Sequence, residues 1–267
     1  MTVWPVDVQH SGVDSALDGP APAPLKAGGP PPAVRLGLRL VAGLSLAAAQ
    51  RIAQARAAGP FADTQDLARR AGLEQTDLRH LAAADALRSL AGHRRQQMWE
   101  AAGLRRAPAL LRGAPVDEAP LALPAAPEGE EIVADYQSTG LTLRRHPLEL
   151  LRPQLQRRRL LTAEALRACP HGRLVRHAGI VTMRQRPPTA SGTLFITLED
   201  ETGMVQAICW PRVYERFRAV LVSARLLGLA GTWQREGEVC NLIVGHAEDL
   251  TPWLGRLAPT ARSRDFR

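Results

Sequence analysis

The sequence predicts an α+β protein of several domains, in which an all-α region precedes a small five-stranded β-barrel. Two observations predict this order. Apolar residues recur at helical spacing from residue 34 to about 104 and again over 136–168, whereas the apolar period changes to two from Gly172 onwards. Segments rich in proline, glycine or acidic residues separate these parts. We therefore assign six regions, at 1–33, 34–104, 105–135, 136–171, 172–250 and 251–267.

The four regions that flank or join these parts have distinct compositions. Residues 1–33 combine a short candidate strand, TVWPVDV, for which we expect no partner strand, with GPAPAPLKAGGPPPA, whose proline and glycine density excludes a helix. We interpret them as a remnant of a larger upstream domain. The acidic, Pro/Ala-rich segment 105–135 is typical of a flexible linker. A helical connector is predicted for 136–171, and a basic tail for 251–267.

The formal net charge of +8 is unevenly distributed along the chain. Residues 35–112 contain 13 arginines and 6 acidic residues, a net +7, whereas 113–135 contain 6 acidic residues and no basic one. The segment 136–172 carries +5, and 173–250 is nearly neutral at +1. A positive block favours a polyanionic partner, because a protein that neutralises phosphates releases their counterions. The alternative is a solvated, arginine-rich helical surface.

A glycine interrupts the helical stretch VRLGLRLVAGLSLAAAQRIAQAR at 34–56. Gly43 stands between apolar residues, as in the tight turn of a helix-hairpin-helix, where glycine lets the backbone approach a phosphodiester. The next helix is expected to begin near Ser45 and to present unpaired N–H groups to that phosphate. The alternative is an ordinary helical hairpin with a structural glycine. The predicted phosphate contacts are Arg39, Gly43, Ser45 and Arg51.

The C-terminal strands follow the order of an OB-fold. Turn signals separate RLVRHAGIVTMRQR, GTLFITLED, GMVQAICW, ARLLGLAGTWQRE and EVCNLIVGHAEDL, and one amphipathic helix, PRVYERFRAVL, lies between the third and fourth of them. Five short strands with a helix after the third predict such a barrel, whose strand 2–3 face and flanking loops bind oligonucleotides or sugars.

Aromatic residues are scarce in the barrel, so their positions provide a hypothesis about its ligand. A ring on the binding face can stack on a base, whereas the alternative is that these rings fill the barrel core. Arginines near the first loop and after the third strand are placed to follow a phosphate backbone. The predicted barrel contacts are Arg184, Arg186, Phe195, Thr197, Trp210, Arg212 and Trp233, with Arg235 as a further cation.

The sequence provides no catalytic, metal-binding or cofactor motif. Cys169, Cys209 and Cys240 lie far apart without zinc-ligand spacing. Glu199-Asp200-Glu201 is interpreted as a turn, and no set of carboxylates suited to two-metal chemistry is visible. We predict no catalytic residue, no metal and no cofactor. The N-terminal residues do not resemble a signal peptide, and no run approaches a membrane span, so a soluble, cytoplasmic protein is expected.

Taken in order, these segments resemble the bacterial C-family DNA polymerases. The hairpin region at 34–101, the segment YQSTGLTLRRHPLELLRPQL and the stretch GTLFITLEDETGMVQAICWPRVYERFR are similar to consecutive parts of that family. The start WPVDVQHS and the end SRDFR are similar to its error-prone, translesion branch. The resemblance implies a C-terminal portion of such a polymerase, without the palm domain and its catalytic aspartates.

The resemblance implies that this chain holds DNA and that nucleotidyl transfer occurs in other domains of the polymerase. The helical domain is then expected to grip duplex backbone and the barrel to hold single-stranded template, neither with base specificity. The implied partners are DNA, a separate polymerase core and translesion accessory proteins, and no membrane. The alternative is a protein-interaction module that docks a translesion partner with little DNA contact, which the near-neutral barrel favours.

Overall fold

The structure, a computed structural model, describes residues 2–18, 33–104, 123–257 and 264–266. The chain forms two compact units, Met1–Leu143 and Arg144–Arg267. No helix among these residues is long and apolar enough to cross a membrane. The first unit contains β1 (Val3–Trp4), β2 (Ala16–Asp18), β3 (Ala33–Arg35), a 3-10 helix (Leu38–Leu40), α1 (Leu46–Ala57), α2 (Thr64–Ala71), α3 (Gln75–Ala83), α4 (Arg88–Ala91), α5 (Arg94–Gly103) and α6 (Glu128–Ser138).

The N-terminal strand has partners, contrary to the prediction that it stands alone. β3 pairs with β1 in parallel, through Val3 opposite Val34, and with β2 in antiparallel orientation. Val6 and Val8 are buried in the same apolar core as the helices. The described residues of 1–33 therefore belong to the helical unit. The strand pairing was not predicted because it joins residues on either side of the proline-rich segment.

The core of the first unit is built from the apolar faces of its helices. Its fully buried side chains include Leu38, Ile52, Leu67, Leu81 and Leu87. Ser45 caps α1 and Asp63 caps α2, each accepting a backbone N–H through its side chain. Such caps satisfy N–H groups that have no partner within the helix. The helices thus begin at positions that polar side chains specify.

The structure describes only part of the segment 105–135, for which an acidic linker was predicted. Residues 105–122 lie outside the described part of the chain, but α6 occupies Glu128–Ser138 and contradicts the prediction for 128–135. Buried Arg94 of α5 donates to the carboxylates of Glu131 and Asp135 on α6. Two acidic residues that resembled linker composition instead pair with a buried cation, an arrangement that is strongly destabilised when one partner is lost.

The second unit is a closed β-barrel, which confirms the predicted OB-fold order. Its elements are α7 (Pro147–Arg157), α8 (Ala163–Arg167), β4 (Leu174–Gln185), β5 (Leu194–Asp200), β6 (Gly203–Cys209), α9 (Pro211–Ser223), β7 (Leu226–Glu236), β8 (Val239–Asp249) and β9 (Arg264–Phe266), with 3-10 helices at Pro188–Ala190 and Thr251–Leu257. Around the barrel the strands follow β5-β6-β8-β7-β4, and pairing between β4 and β5 closes it. A bulge between Val181 and Met183 separates the half of β4 that pairs mainly with β7 from the half that pairs with β5.

Residues beyond 250 belong to the barrel unit and not to a separate tail. The 3-10 helix Thr251–Leu257 buries Leu254 against Leu148 and Leu155 of α7 and against Leu226 of β7. β9 extends the sheet by pairing in parallel with the end of β4. The prediction of a basic tail over 251–267 was therefore wrong for 251–257 and 264–266. Residues 258–263 lie outside the described part of the chain.

Candidate nucleic-acid interface

The turn at Gly43, here named hairpin 1, joins the 3-10 helix Leu38–Leu40 to α1. Gly43 has φ +83°, a left-handed conformation that side chains rarely adopt. A Cβ at this position would also lie 2.6 Å from the His80 ring of α3. Both the turn and the packing therefore require glycine.

The start of α1 is open to an anion. Ser45 Oγ accepts from Ala48 N at 3.1 Å, and the first turn of α1 contains no acidic residue. The N–H groups of the first helical residues have no intrahelical partner, and the helix dipole adds positive potential there. Gly43 and Ser45 are both exposed. Hairpin 1 thus presents backbone donors to solvent without a competing carboxylate from its own helix.

Helix α6 supports this turn from behind. Ala42 N donates to Ser138 O at 2.7 Å, and Ser138 is the last residue of α6. This contact was not predicted, because the composition of 128–135 resembled a linker. The turn therefore depends on a helix that is distant in sequence.

A second turn of the same kind, here named hairpin 2, joins α2 to α3 at Gly72. Gly72 has φ +60°, and Ala-Gly-Leu occurs at 71–73 as it does at 42–44. Arg51, eight residues after Gly43, lies at Gly72, while His80, eight residues after Gly72, lies at Gly43. Each hairpin is therefore packed by the second helix of the other. Hairpin 2 was not predicted, although the repeated tripeptide Ala-Gly-Leu was a signal for it.

The two predicted arginines of the helical unit differ in their engagement. Arg51 Nε donates to Ala71 O at 2.9 Å, and a terminal nitrogen donates to Gly72 O at 3.4 Å. Arg51 thus ties hairpin 1's helix to hairpin 2, a role that the prediction did not include. Arg39 lies on the 3-10 helix before Gly43, is largely exposed, and pairs with Asp14 at 2.9 Å.

The barrel presents a continuous outer face on β5, β6 and β8. Phe195 lies opposite Ile208, which lies opposite Ile243, and all three are partly exposed. The next row contains Thr197, Gln206 and Asn241. Their neighbours in sequence, such as Ile196, Ala207 and Leu242, point into the buried core. Phe195 therefore belongs to an apolar row on the outside, and is not a member of the core cluster.

Thr197 is on this face but is itself largely covered. Its Oγ1 donates to Gln206 Oε1 at 3.1 Å, which orients the amide of Gln206. Gln206 is exposed. Thr197 was predicted to lie on this face. Four of its neighbours were not, because their positions near Phe195 depend on strand register: Gln206, Ile208, Asn241 and Ile243.

Two predicted barrel contacts are buried, and their prediction as ligand contacts was wrong. Trp233 is 2% exposed and lies in the barrel core. Trp233 lies four residues after Leu229 on β7, so strand alternation puts its side chain on the same inner face as those of Leu227 and Leu229. Arg184 is also buried; its Nε donates to Leu221 O at 2.7 Å, and a terminal nitrogen donates to Ala224 O, so it fastens the end of α9. The bulge after Val181 shifts the alternation of β4 and turns Arg184 inward.

Three further predicted residues are exposed near one end of the outer face. Trp210 precedes α9 and is 52% exposed. Arg212 in the first turn of α9 is exposed, as is Arg186 in the loop after β4. Arg186 Nε donates to Gly192 O at 3.2 Å, and its guanidinium lies 4.5 Å from the centre of the Tyr214 ring. An aromatic ring and two cations therefore meet at the end where β5 begins and β6 finishes.

Buried Cys209 adjoins this end but has no feature of a reactive thiol. Burial raises its pKa to about 11, so the thiol stays protonated at neutral pH. The chemistry available at the outer face is therefore stacking, hydrogen bonding and charge pairing.

Known protein families match both units. A family described as helix-hairpin-helix motif matches residues 1–97, and one described as OB-fold nucleic acid binding domain matches residues 175–250. A helical hairpin region followed by an OB-fold barrel is therefore the architecture of this chain, as predicted, with the small sheet of β1, β2 and β3 added to the helical unit.

Curated relatives cover nearly the whole chain. An error-prone DNA polymerase from Ralstonia nicotianae is 53% identical over 99% of this chain and 24% of the relative. Those from an Azoarcus species and Alkalilimnicola ehrlichii are 54% and 51% identical over 99% of this chain, and the match covers 24% and 25% of each relative. The resemblance predicted from the sequence is confirmed: over nearly its whole length this chain is similar to bacterial error-prone DNA polymerases, of whose length it spans about a quarter.

Proposed function

We propose that this chain is the DNA-holding region of an error-prone DNA polymerase and contacts DNA without base preference. Hairpin 1 holds the backbone of duplex DNA, and the outer face of the barrel holds single-stranded template. The observation that carries the proposal is hairpin 1, where an exposed glycine turn leads into a capped helix start without acidic residues. Backbone donors of this kind bind phosphate whatever the base sequence.

The outer face supports the assignment of single strands to the barrel. Phe195 and Trp210 offer partly or largely exposed rings, and stacking on them requires bases that are not paired. Arg186 and Arg212 supply positive charge at the same end. Duplex DNA would bury its base faces and gain only the charge contacts.

Anisotropy titrations of the whole chain test the proposal. Duplex and single-stranded oligonucleotides of unrelated sequence should bind with similar affinity across sequences, and binding should weaken steeply between two salt concentrations. Phe195→Ala should weaken single-strand binding and spare duplex binding, with the melting temperature measured beside it. A salt-independent or sequence-selective isotherm would contradict the proposal.

A protein-interaction module is the second candidate, and the charge of the barrel favours it. Residues 173–250 carry only +1, and the row Phe195, Ile208 and Ile243 is apolar. If this were the function, single strands would fail to bind while a translesion partner protein bound the same face. Phe195→Ala would then weaken the complex with the partner protein and leave duplex binding unchanged.

Nucleotidyl transfer is proposed to reside in parts of the polymerase other than this segment. Primer extension with the chain alone, magnesium or manganese and all four nucleotides should give no product. Extension by a preparation shown to be without host polymerase would contradict this part of the proposal.

A further inference from the structure

The outer face of the barrel continues beyond the Phe195 row to a second end. There the apolar side chains of Met204 at the start of β6 and Val239 at the start of β8 are 59% and 63% exposed. Both stand on the outer face, two residues before Gln206 and Asn241 respectively. This end lies about 20 Å along β6 from Trp210, at roughly 3.3 Å per residue.

Helix α8 closes the barrel at this second end and carries a cation to the rim. Ala163 and Leu166 of α8 are buried in the barrel core. Arg167, the last residue of α8, donates to Thr202 O at 3.5 Å and to Met204 O at 3.4 Å. A Cβ at Gly203 would lie 2.5 Å from a terminal nitrogen of Arg167, so the guanidinium lies directly over the start of β6.

Arg235 brings a second cation to the same rim. Its guanidinium donates to Arg167 O at 3.2 Å, and its backbone N donates to His171 Nδ1 at 3.2 Å. Arg167 and Arg235 are exposed, and within the described part of the chain neither has a carboxylate within 4.0 Å. Because a guanidinium offers five N–H donors, both retain donors for a further anion.

Exposed arginines therefore lie at both ends of this face. Arg186 and Arg212 lie at the Trp210 end, and Arg167 and Arg235 lie at the α8 end. Between them the face carries apolar and amide side chains, and Glu199 lies opposite Met204 on the same face. Such a distribution would let the face contact a polyanion although residues 173–250 carry a net charge of only +1, to which Arg167 adds a further positive charge.

We propose that the single-strand site extends across the whole face to α8, where Arg167 and Arg235 bind phosphates of single-stranded nucleic acid. This inference rests on the proposed function of the same face and adds the connector helix to it. A strand that spans both ends covers about four nucleotides or slightly more, close to the smallest sites known for an OB-fold.

Salt dependence of oligothymidylate binding by the whole chain tests this inference. Each phosphate contact to a single strand contributes roughly 0.7 to the slope of log affinity against log salt, so Arg167→Ala/Arg235→Ala should lower the slope by about 1.4. The affinity for a 12-nucleotide strand should fall roughly tenfold, whereas a strand too short to reach both ends should be less affected. Arg235→Ala alone should lower the slope by about half as much, and melting temperatures establish that each variant is folded.

A matched control removes two charges elsewhere on the same unit. Arg157 and Arg159 are exposed at the end of α7, and Arg157→Ala/Arg159→Gly suits the left-handed conformation of Arg159, whose φ is +58°. The control should retain the slope of the unmodified chain. If the Arg167/Arg235 variant matches the control while single strands still bind, the inference fails and the proposed function stands. If the unmodified chain binds no single strand, the proposed function fails with it.

Discussion

Hairpin 1 and hairpin 2 have the same backbone conformation at the turn, but the helix after hairpin 2 begins with acidic residues and the helix after hairpin 1 does not. Each has the tripeptide Ala-Gly-Leu with glycine in a left-handed conformation. Helix α1 begins after Ser45 and has no acidic residue in its first turn. Helix α3 begins after Glu74, and the Asp77 carboxylate accepts from Glu74 N at 3.2 Å.

The comparison shows that a glycine turn alone does not make a phosphate site. An anion at a helix N-terminus is stabilised by the helix dipole, and at α3 the protein's own carboxylates already occupy that position. A phosphate approaching hairpin 2 would meet Glu74 and Asp77, whereas at hairpin 1 it meets backbone donors and the Ser45 hydroxyl. We therefore expect duplex DNA to engage hairpin 1 far more strongly than hairpin 2.

The largest expected effect comes from Gly43→Val, compared with Gly72→Val. Valine at 43 combines a disfavoured φ with a Cβ that approaches His80 at 2.6 Å, so the turn must change shape. Duplex affinity should fall roughly tenfold or more, since a charge-assisted hydrogen bond contributes about 1.5–3 kcal/mol. Valine at 72 is also strained, but its nearest neighbour is Arg51 Nε at 4.0 Å, and duplex affinity should change little.

Thermal melting separates binding from folding in this pair. Both variants are expected to lose stability, because both place a branched side chain at positive φ. The comparison between the hairpins is contradicted if both variants stay folded and lose duplex affinity equally. Single-strand binding by the barrel serves as an internal control and should be retained by both.

A smaller effect is expected from placing a carboxylate at the start of α1. Leu46 is the first residue of that helix and is 46% exposed, so Leu46→Glu disturbs little packing. The change favours the helix but repels phosphate, and duplex affinity should fall about fivefold, in line with helix-terminus effects of roughly 1 kcal/mol.

Gln75→Glu is the matched control at hairpin 2, where the residue has the same position in its helix and acidic groups are already present. Duplex titrations at low salt should show no loss for this variant. An equal loss for both would mean that general repulsion, and not hairpin 1, determines the affinity.

The converse change should raise affinity modestly. Glu74→Gln/Asp77→Asn removes both carboxylates from the start of α3 and should increase duplex affinity about two- to threefold at low salt, with a smaller gain at high salt. The variant should also lose about 1 kcal/mol of unfolding free energy, because it weakens a helix cap. Unchanged duplex affinity at low salt would show that hairpin 2 is too far from DNA to matter.

The sequence predicted those features that depend on neighbouring residues. Gly43 between apolar residues indicated the turn, and alternating apolar residues indicated the five strands and the closed barrel. Features that depend on distant residues were missed. The pairing of Arg94 with Glu131 and Asp135, the strand pair of Val3 with Val34 and the inward turn of Arg184 all depend on tertiary contacts or on a bulge.

The smallest effect on binding is expected at Arg51, compared with Arg39. Arg51 donates to Ala71 O and Gly72 O, so its guanidinium is already used in joining the two hairpins. Arg51→Gln should lower the unfolding free energy by about 1–2 kcal/mol, less than the roughly 1.5–3 kcal/mol of a charge-assisted hydrogen bond because the Arg51 side chain is 44% exposed. Duplex affinity should change less than about twofold, once the salt concentration is held constant.

Arg39→Gln should show the opposite pattern. Arg39 is exposed beside hairpin 1 and its pair with Asp14 is exposed as well, so the loss of stability should be below about 1 kcal/mol. Duplex affinity should fall about two- to threefold, and the slope of log affinity against log salt should decrease by roughly 0.9, as for one lost phosphate contact. The opposite result would be that Arg51→Gln lowers the slope of log affinity against log salt by roughly 0.9 while the chain remains stable. In that case Arg51 contacts the phosphate itself, and hairpin 2 does not merely support hairpin 1.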